Sequence, residues 1–353
     1  MMLRISSITI AGRRISHDDP PYVIAELSAN HGGDLERAKR IIRLAAEKGA
    51  DAIKFQAYTP ENMTLDCDMP GFVVEADNPW KGRRLHELYA SAATPYAWFP
   101  ELFATARAAG ITPFCTPFGA DAVAMLEKLD APAYKIASFE AVDVELIAAC
   151  ARTGKPLIIS TGLCTEDEAA TALDAALAAG CHEAALLKCS SAYPSVVEET
   201  NLLAIPYMRE RFGVPIGYSD HTLGAAVATA ACALGACIIE KHVIDARTPP
   251  TADSEFSALP DDLADLVRGC REAFLARGAG QLGPTTREQQ SRVFRRSLYA
   301  VRDIAAGETI DRDNVRSVRP GYGLLPKYLA ELVGRRAKRA IGRGEPINWD
   351  LVT

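Results

Sequence analysis

The sequence predicts an α/β protein: a (β/α)8 barrel followed by a small C-terminal domain of short strands and turns. Two observations predict it. Eight short apolar segments recur between helical stretches, and several end in a lysine, histidine, glutamate or serine. Eight strand–helix alternations close a parallel sheet on itself, and such barrels carry their chemistry at the C-terminal strand ends. The chain also has 353 residues, whereas a barrel needs roughly 250, which leaves about 100 for extensions.

The predicted strands are Tyr22–Glu26, Ala52–Gln56, Thr112–Thr116, Ala133–Ala137, Leu157–Thr161, Ala185–Lys188, Pro215–Ser219 and Ile238–His242. After the first, Asn30-His31-Gly32-Gly33 is a loop and Asp34 caps a helix. That helix has the apolar face Leu35, Ala38, Ile41, Ile42 and Ala45, with Gly49 past its end. Between Tyr58 and Pro95 the rhythm breaks into a long insertion containing Pro70, Pro79 and Trp80. Loops of this length lie over a site as lids or specificity elements, or are structural excursions. A helix is expected over 260–276, and the glycine-rich stretch from Arg277 marks a boundary. The expected organisation is a barrel over 1–283, a polar linker over 284–296 and a second domain over 297–353. That domain begins with an apolar strand at Ser297–Val301 and turns at Ala306-Gly307-Glu308. It is too small to bury a large core alone, so it is expected to lean on another surface.

Bulk properties narrow the function classes. The chain is 48% hydrophobic and 24% charged, as ordinary globular proteins are. No apolar run is long enough to span a membrane, and Met1-Met2-Leu3-Arg4-Ile5 lacks a secretory core, so a cytoplasmic protein is expected. The nine cysteines include no Cys-x-x-Cys pair and read as buried free thiols. A net charge of −6 argues against a nucleic-acid binder. Residues 295–353 nevertheless carry 12 Lys and Arg against 7 Asp and Glu. Such a basic tail either helps hold an anion or is a solvated surface.

The polar strand ends suggest the chemistry. Lys54, Lys135 and Lys188 end alternate strands, which contribute to one interior layer, so three ammonium groups are expected to converge on a ligand with several negative charges. Ser138, Ser160, Ser191 and Ser219 add donors around the same rim. His221 and His242 follow neighbouring strands and, with Glu26 on the adjacent first strand, could hold a divalent metal with open positions. Glu26, Glu140 and Asp253 are candidate carboxylates, either as general base or as partners of the lysines.

Several motifs then carry a resemblance: Ala25-Glu26-Leu27-Ser28-Ala29-Asn30-His31, Lys54-Phe55-Gln56, Tyr134-Lys135-Ile136-Ala137-Ser138-Phe139-Glu140, Tyr218-Ser219-Asp220-His221-Thr222 and Ile239-Glu240-Lys241-His242. Together they resemble the sialic acid synthase family over nearly the whole chain. Arg296-Ser297-Leu298-Tyr299 and Arg316-Ser317-Val318-Arg319-Pro320-Gly321 look like that family's antifreeze-like (SAF) domain. Within the family, Leu187-Lys188-Cys189-Ser190-Ser191-Ala192-Tyr193-Pro194 and Leu85-His86-Glu87-Leu88-Tyr89 look most like the pseudaminic acid synthase branch.

The resemblance implies condensation of phosphoenolpyruvate with an N-acetylated hexose. By matched position, Lys54, Thr116, Lys135 and Ser138 would hold the phosphoenolpyruvate carboxylate, and Ser160, Ser191 and Ser219 its phosphate. His221 and His242 would bind manganese or magnesium. Glu26, Gln56, Tyr193 and Asp253 would contact the sugar, and Glu140 would activate water. Arg319 would reach the acetamido group from a partner subunit in a domain-swapped homodimer. One departure is the proline pair in Arg247-Thr248-Pro249-Pro250-Thr251-Ala252-Asp253, where the branch has a glycine-rich turn; stiffening there bears on the placement of Asp253. Two rival readings are a lysine Schiff-base aldolase using Lys135 or Lys188 and a non-catalytic carbohydrate-binding protein.

Overall fold

The computed structural model describes residues 4–75 and 81–353. Pro79 and Trp80 of the insertion lie outside the described residues, as does the start of the N-terminus. The chain divides into two compact units, Met1–Gly278 and Ala279–Thr353.

The first unit is a closed eight-stranded parallel barrel. A hairpin precedes it, β1 (Ser7–Ile10) and β2 (Arg13–Ser16). The barrel strands are β3 (Tyr22–Glu26), β4 (Ala52–Ala57), β5 (Thr112–Pro117), β6 (Tyr134–Ile136), β7 (Leu157–Ser160), β8 (Ala184–Cys189), β9 (Ile216–Asp220) and β10 (Ile238–His242). They pair in chain order, and β10 closes on β3 with His242 opposite Glu26. Every predicted strand is present within a residue or two, because each is an apolar run punctuated by glycine or proline.

Local chemistry sets the helix ends. Asp34 accepts from the backbone N–H groups of Glu36 and Arg37 and starts the helix Leu35–Glu47, which buries Ala38, Ile41, Ile42 and Ala45. Gly49 follows with φ +88°, a left-handed conformation that suits glycine. The helix Pro260–Ala276 spans the predicted range.

The hairpin had no counterpart in the sequence reading. Its Ile8, Ile10 and Ile15 join the barrel's own core cluster. Arg13 pairs with Asp51, just ahead of β4, and Ile5 N–H donates to Gly213 O before β9. These contacts place it under the N-terminal end of the barrel.

The insertion contains the short helices Pro60–Met63 and Leu85–Ala92. Tyr89 packs edge-on against Tyr58, while Thr94 Oγ1 lies 3.1 Å from His31 Nε2. Since Tyr58 follows β4 and His31 follows β3, the insertion sits at the C-terminal mouth.

The second unit has its own small core, including Leu298, Ile304, Ile310, Val315, Ile341 and Ile347. An antiparallel pair, β11 (Ser297–Ala300) and β12 (Val315–Val318), anchors it. The stretch expected as polar linker carries a short helix, Thr286–Ser291.

Candidate active site

The interior of the barrel near its mouth is charged. Side chains alternate along a strand, so Glu240 and His242 share one face of β10 while Lys241 takes the other. Glu240 Oε1 accepts from Lys135 Nζ at 3.4 Å and from Ser219 Oγ at 3.2 Å, and lies 3.7 Å from Lys54 Nζ. Lys54 Nζ is 2.5 Å from Glu26 Oε2 and donates to Thr116 Oγ1 at 3.1 Å. Gln56 Nε2 donates to both Glu26 Oε1 and Ser28 Oγ at 3.0 Å. Strands β3, β4, β5, β6, β9 and β10 thus feed one network.

Lys54 and Lys135 are only 3% and 2% exposed. Ammonium groups at that depth need counter-charges. Burial pushes the Glu240 carboxyl up, but Lys135 and Lys54 outweigh it and bring the group down to about 2. Burial likewise lowers Lys54, yet Glu240 and Glu26 together hold its ammonium above the ordinary lysine range. Lys135 goes the other way: burial lowers it, Glu240 opposes, and the Lys54 cation lowers it further.

The expected third lysine does not join them. Lys188 Nζ donates to the Cys189 carbonyl at 2.8 Å. Strand parity is the reason: the β8 residue facing the interior is Cys189, whose Sγ is 3.7 Å from Ser191 Oγ and 3.8 Å from His221 Nδ1. Burial raises the Cys189 thiol, but His221, Ser138 and Ser191 bring it down to about 7.

Next to the lysines lies a set of hydroxyls. Ser138 and Ser191 close on Gly162: a Cβ there would collide with Ser191 Oγ and lie 2.7 Å from Ser138 Oγ. Ser160 Oγ, at the end of β7, is buried and has no hydrogen-bond partner among the described residues. A buried unpaired hydroxyl is a donor that waits for a ligand.

The two histidines do meet. The rings of His221 and His242 are 5.2 Å apart between centroids. His221 Nδ1 is 2.9 Å from the Ser190 carbonyl, which can only accept, so that nitrogen carries the proton and Nε2 keeps its lone pair. His242 Nδ1 is buried without a hydrogen-bond partner and lies 3.7 Å from Asp253 Oδ2. Burial raises Asp253, but His242 and Ser28 hold its carboxyl below the usual aspartate range. Glu26, read above as a further ligand, is turned to Lys54 and Gln56 instead. Among the described residues no group of three or more His, Cys, Asp or Glu side chains is placed to hold a metal.

Aromatic rings border the histidines. Tyr193 lies 4.5 Å from His221, and Phe256 lies 5.0 Å from His242 and 5.3 Å from Tyr193. They open onto a cavity of about 430 Å3 whose wall includes Ala29, Ser91, Ala92, Thr251 and Ala252. Thr251 is fixed there despite the proline pair, since its Oγ1 donates to Asn30 Oδ1 at 2.6 Å. A cavity of similar size elsewhere is lined by Arg43, Glu101 and Thr105.

Glu140 stands at the entrance beyond β6. One of its oxygens is buried without a partner, and burial pushes its carboxyl up to about 7 against the pull of Lys135. Its charge is felt by Tyr89 of the insertion. Arg319 is exposed, next to the end of β12 in the second unit.

Glu240, Cys189, Phe256 and Ser28 were not singled out as site residues from the sequence. Glu240 could have been found: it lies two residues before His242 on the same strand, hence on the same face.

Residues 41–282 match the model of the NeuB family, and residues 295–353 match the SAF domain. The chain is 42% identical over 330 residues to the pseudaminic acid synthase of Campylobacter jejuni, covering 94% of this chain and 96% of that protein. It is 40% identical over 333 residues to the pseudaminic acid synthase of Helicobacter pylori, covering 94% and 97%. Among solved structures, the N-acetylneuraminic acid synthetase of Leptospira borgpetersenii in complex with citrate superposes with a TM-score of 0.73 at 34% identity, covering 82% of this chain and 95% of that one. The barrel with its lysine, serine and histidine groups, and the compact unit that follows it, are therefore those of a member of the NeuB family carrying a C-terminal SAF domain.

Proposed function

We propose that the protein is a pseudaminic acid synthase. It condenses phosphoenolpyruvate with 2,4-diacetamido-2,4,6-trideoxy-altropyranose and releases phosphate by C–O cleavage. The observation that carries this reading is the convergence of Lys54, Lys135 and Ser219 on Glu240, which in turn feels the charges of the adjacent His221–His242 pair. The relatives named above share nearly the full length of the chain.

Lys54, Thr116, Lys135 and Ser138 bind the carboxylate of the enol phosphate. Ser160, Ser191 and Ser219 bind its phosphate, with Lys135 shared between the two. Lys188 is not among them. His221 and His242 would supply the two protein ligands of a manganese or magnesium ion, which would polarise the sugar aldehyde as a Lewis acid. Glu26, Gln56, Tyr193 and Asp253 orient the sugar.

C3 of the enol attacks the aldehyde carbon, and the aldehyde oxygen takes up a proton. The resulting oxocarbenium carbon, C2, is then attacked by water. Glu140, poised near neutrality, takes the proton of that water. Phosphate leaves as the C2–O bond of the tetrahedral intermediate breaks, and the buried ammonium groups stabilise the charge throughout.

Exposed apolar residues of the rim loops, including Phe139, Leu163, Val196 and Leu223, support a homodimer in which a second copy covers the mouth and presents its Arg319 to the sugar. No helix among the described residues is long and apolar enough to cross a membrane, and we place the enzyme in the cytoplasm, where its enol phosphate substrate is made.

The test is phosphate release from phosphoenolpyruvate with each of three sugars: the altro diacetamido sugar, its manno isomer and N-acetylmannosamine. Mass spectrometry identifies each product. Bridging 18O should appear in phosphate, and borohydride should trap no pyruvate adduct. Turnover with N-acetylmannosamine alone would overturn the assignment, and a trapped adduct would favour the Schiff-base aldolase.

A further inference from the structure

Behind the two histidines, on the helix-facing side of the barrel wall, lies a second charged pair that the reaction does not use. Lys241 stands opposite Asp220 in the β9–β10 register. Lys241 Nζ is 2.8 Å from Asp220 Oδ2 and also donates to the backbone carbonyl of Thr222. Asp220 Oδ1 accepts from Thr222 N–H at 2.9 Å and from Thr222 Oγ1 at 2.7 Å. Asp220 and Lys241 are each 1% exposed, and Thr222 is wholly buried.

The arrangement is specific to the histidines. Asp220 and Thr222 are the residues on either side of His221, and Lys241 precedes His242. Strand parity sends Ser219 and His221 inward on β9 and Glu240 and His242 inward on β10, so the pair faces the opposite way. The lysine therefore ties both neighbours of one histidine to the neighbour of the other. A buried pair of this kind contributes little net stability compared with apolar groups of the same volume, and its best-attested use is to fix one geometry.

We infer that Lys241 and Asp220 are positioning residues that set the spacing and aim of His221 and His242, so that the imidazoles are pre-arranged for a divalent cation. This rests on the proposed metal role of the histidines. A pre-arranged site binds more tightly because ordering is not charged to the binding event. Thr222 adds a weaker brace through its hydroxyl.

The test uses the full-length protein without substrate and Mn2+ alone as the probe. Free Mn2+ is read by electron paramagnetic resonance, and folding by circular-dichroism melting. Lys241→Met alone strands a buried carboxylate and is expected to melt early. The double variant Asp220→Asn/Lys241→Met removes both charges, leaves an amide oxygen to hold Thr222, and should still melt cooperatively. Its Kd for Mn2+ should rise at least tenfold. Thr222→Val should raise it severalfold with wild-type melting. An unchanged Mn2+ affinity in both folded variants would overturn the positioning role while leaving the metal centre intact. If the wild-type protein binds no Mn2+, the metal reading itself fails, and this inference fails with it.

Discussion

Replacing Glu140 with glutamine should make the protein more stable and far less active. The carboxyl has been moved from its ordinary 4.5 to about 7, chiefly by burial. Ionising it in the fold therefore costs about 3 kcal/mol at 1.36 kcal/mol per pH unit. The native state holds the proton more tightly than the unfolded chain does. The associated stability is complete below about pH 4.5 and lost as pH rises through 7. At pH 8 the wild type bears the whole cost, whereas the glutamine variant bears none. Its Tm at pH 8 should rise by roughly 5 °C, and the two proteins should melt alike near pH 5. If Glu140 accepts the proton of the attacking water, kcat should fall by about 10²–10⁴ in the same variant. In the wild type kcat/KM should drop about tenfold per unit below pH 7. Thermal melts across pH, with phosphate release measured in the same buffers, provide both readings. A variant that keeps wild-type kcat, or a pH–rate profile flat from 5.5 to 8.5, would remove Glu140 as the base.

Three further outcomes are expected. His242→Ala should abolish metal-dependent phosphate release while the melt stays cooperative; full activity in that variant would dissolve the metal assignment. Arg319→Ala should raise the KM of the sugar much more than that of phosphoenolpyruvate, and equal effects on both would argue against a sugar role. Gly162→Ala puts a methyl group between Ser138 and Ser191, so the KM of phosphoenolpyruvate should rise at least tenfold with a near-wild-type melt. An unchanged KM would show that those hydroxyls do not hold the enol phosphate.

Much of the barrel was legible because each strand is buried on both faces and so reads as a short apolar run. Strand ends gave Glu26, Lys54, Lys135, Ser219 and His242 directly. Lys188 shows the limit of that reasoning: it ends a strand and still points away from the cavity. Parity, one residue either way, decides whether a polar end enters the cavity, and here Cys189 enters instead. Phe256 was invisible because it sits on a loop, where no period constrains direction. The N-terminal hairpin was missed for a related cause. Its strands of four residues alternate too briefly to stand out, and their Ile8, Ile10 and Ile15 gain meaning only against a barrel floor that is distant in sequence. Glu240 differs from these cases, since its face follows from that of His242 by counting.

The ion-pair network at the centre of the barrel has a consequence for how ligands arrive. In the resting cavity two ammonium groups are already matched by Glu26 and Glu240, so the interior is close to electroneutral before anything enters. A guest bearing several negative charges upsets that balance, and on the proposed function a divalent cation at His221 and His242 would restore it. The affinity of such a cation and that of the enol phosphate would then reinforce each other equally in both directions.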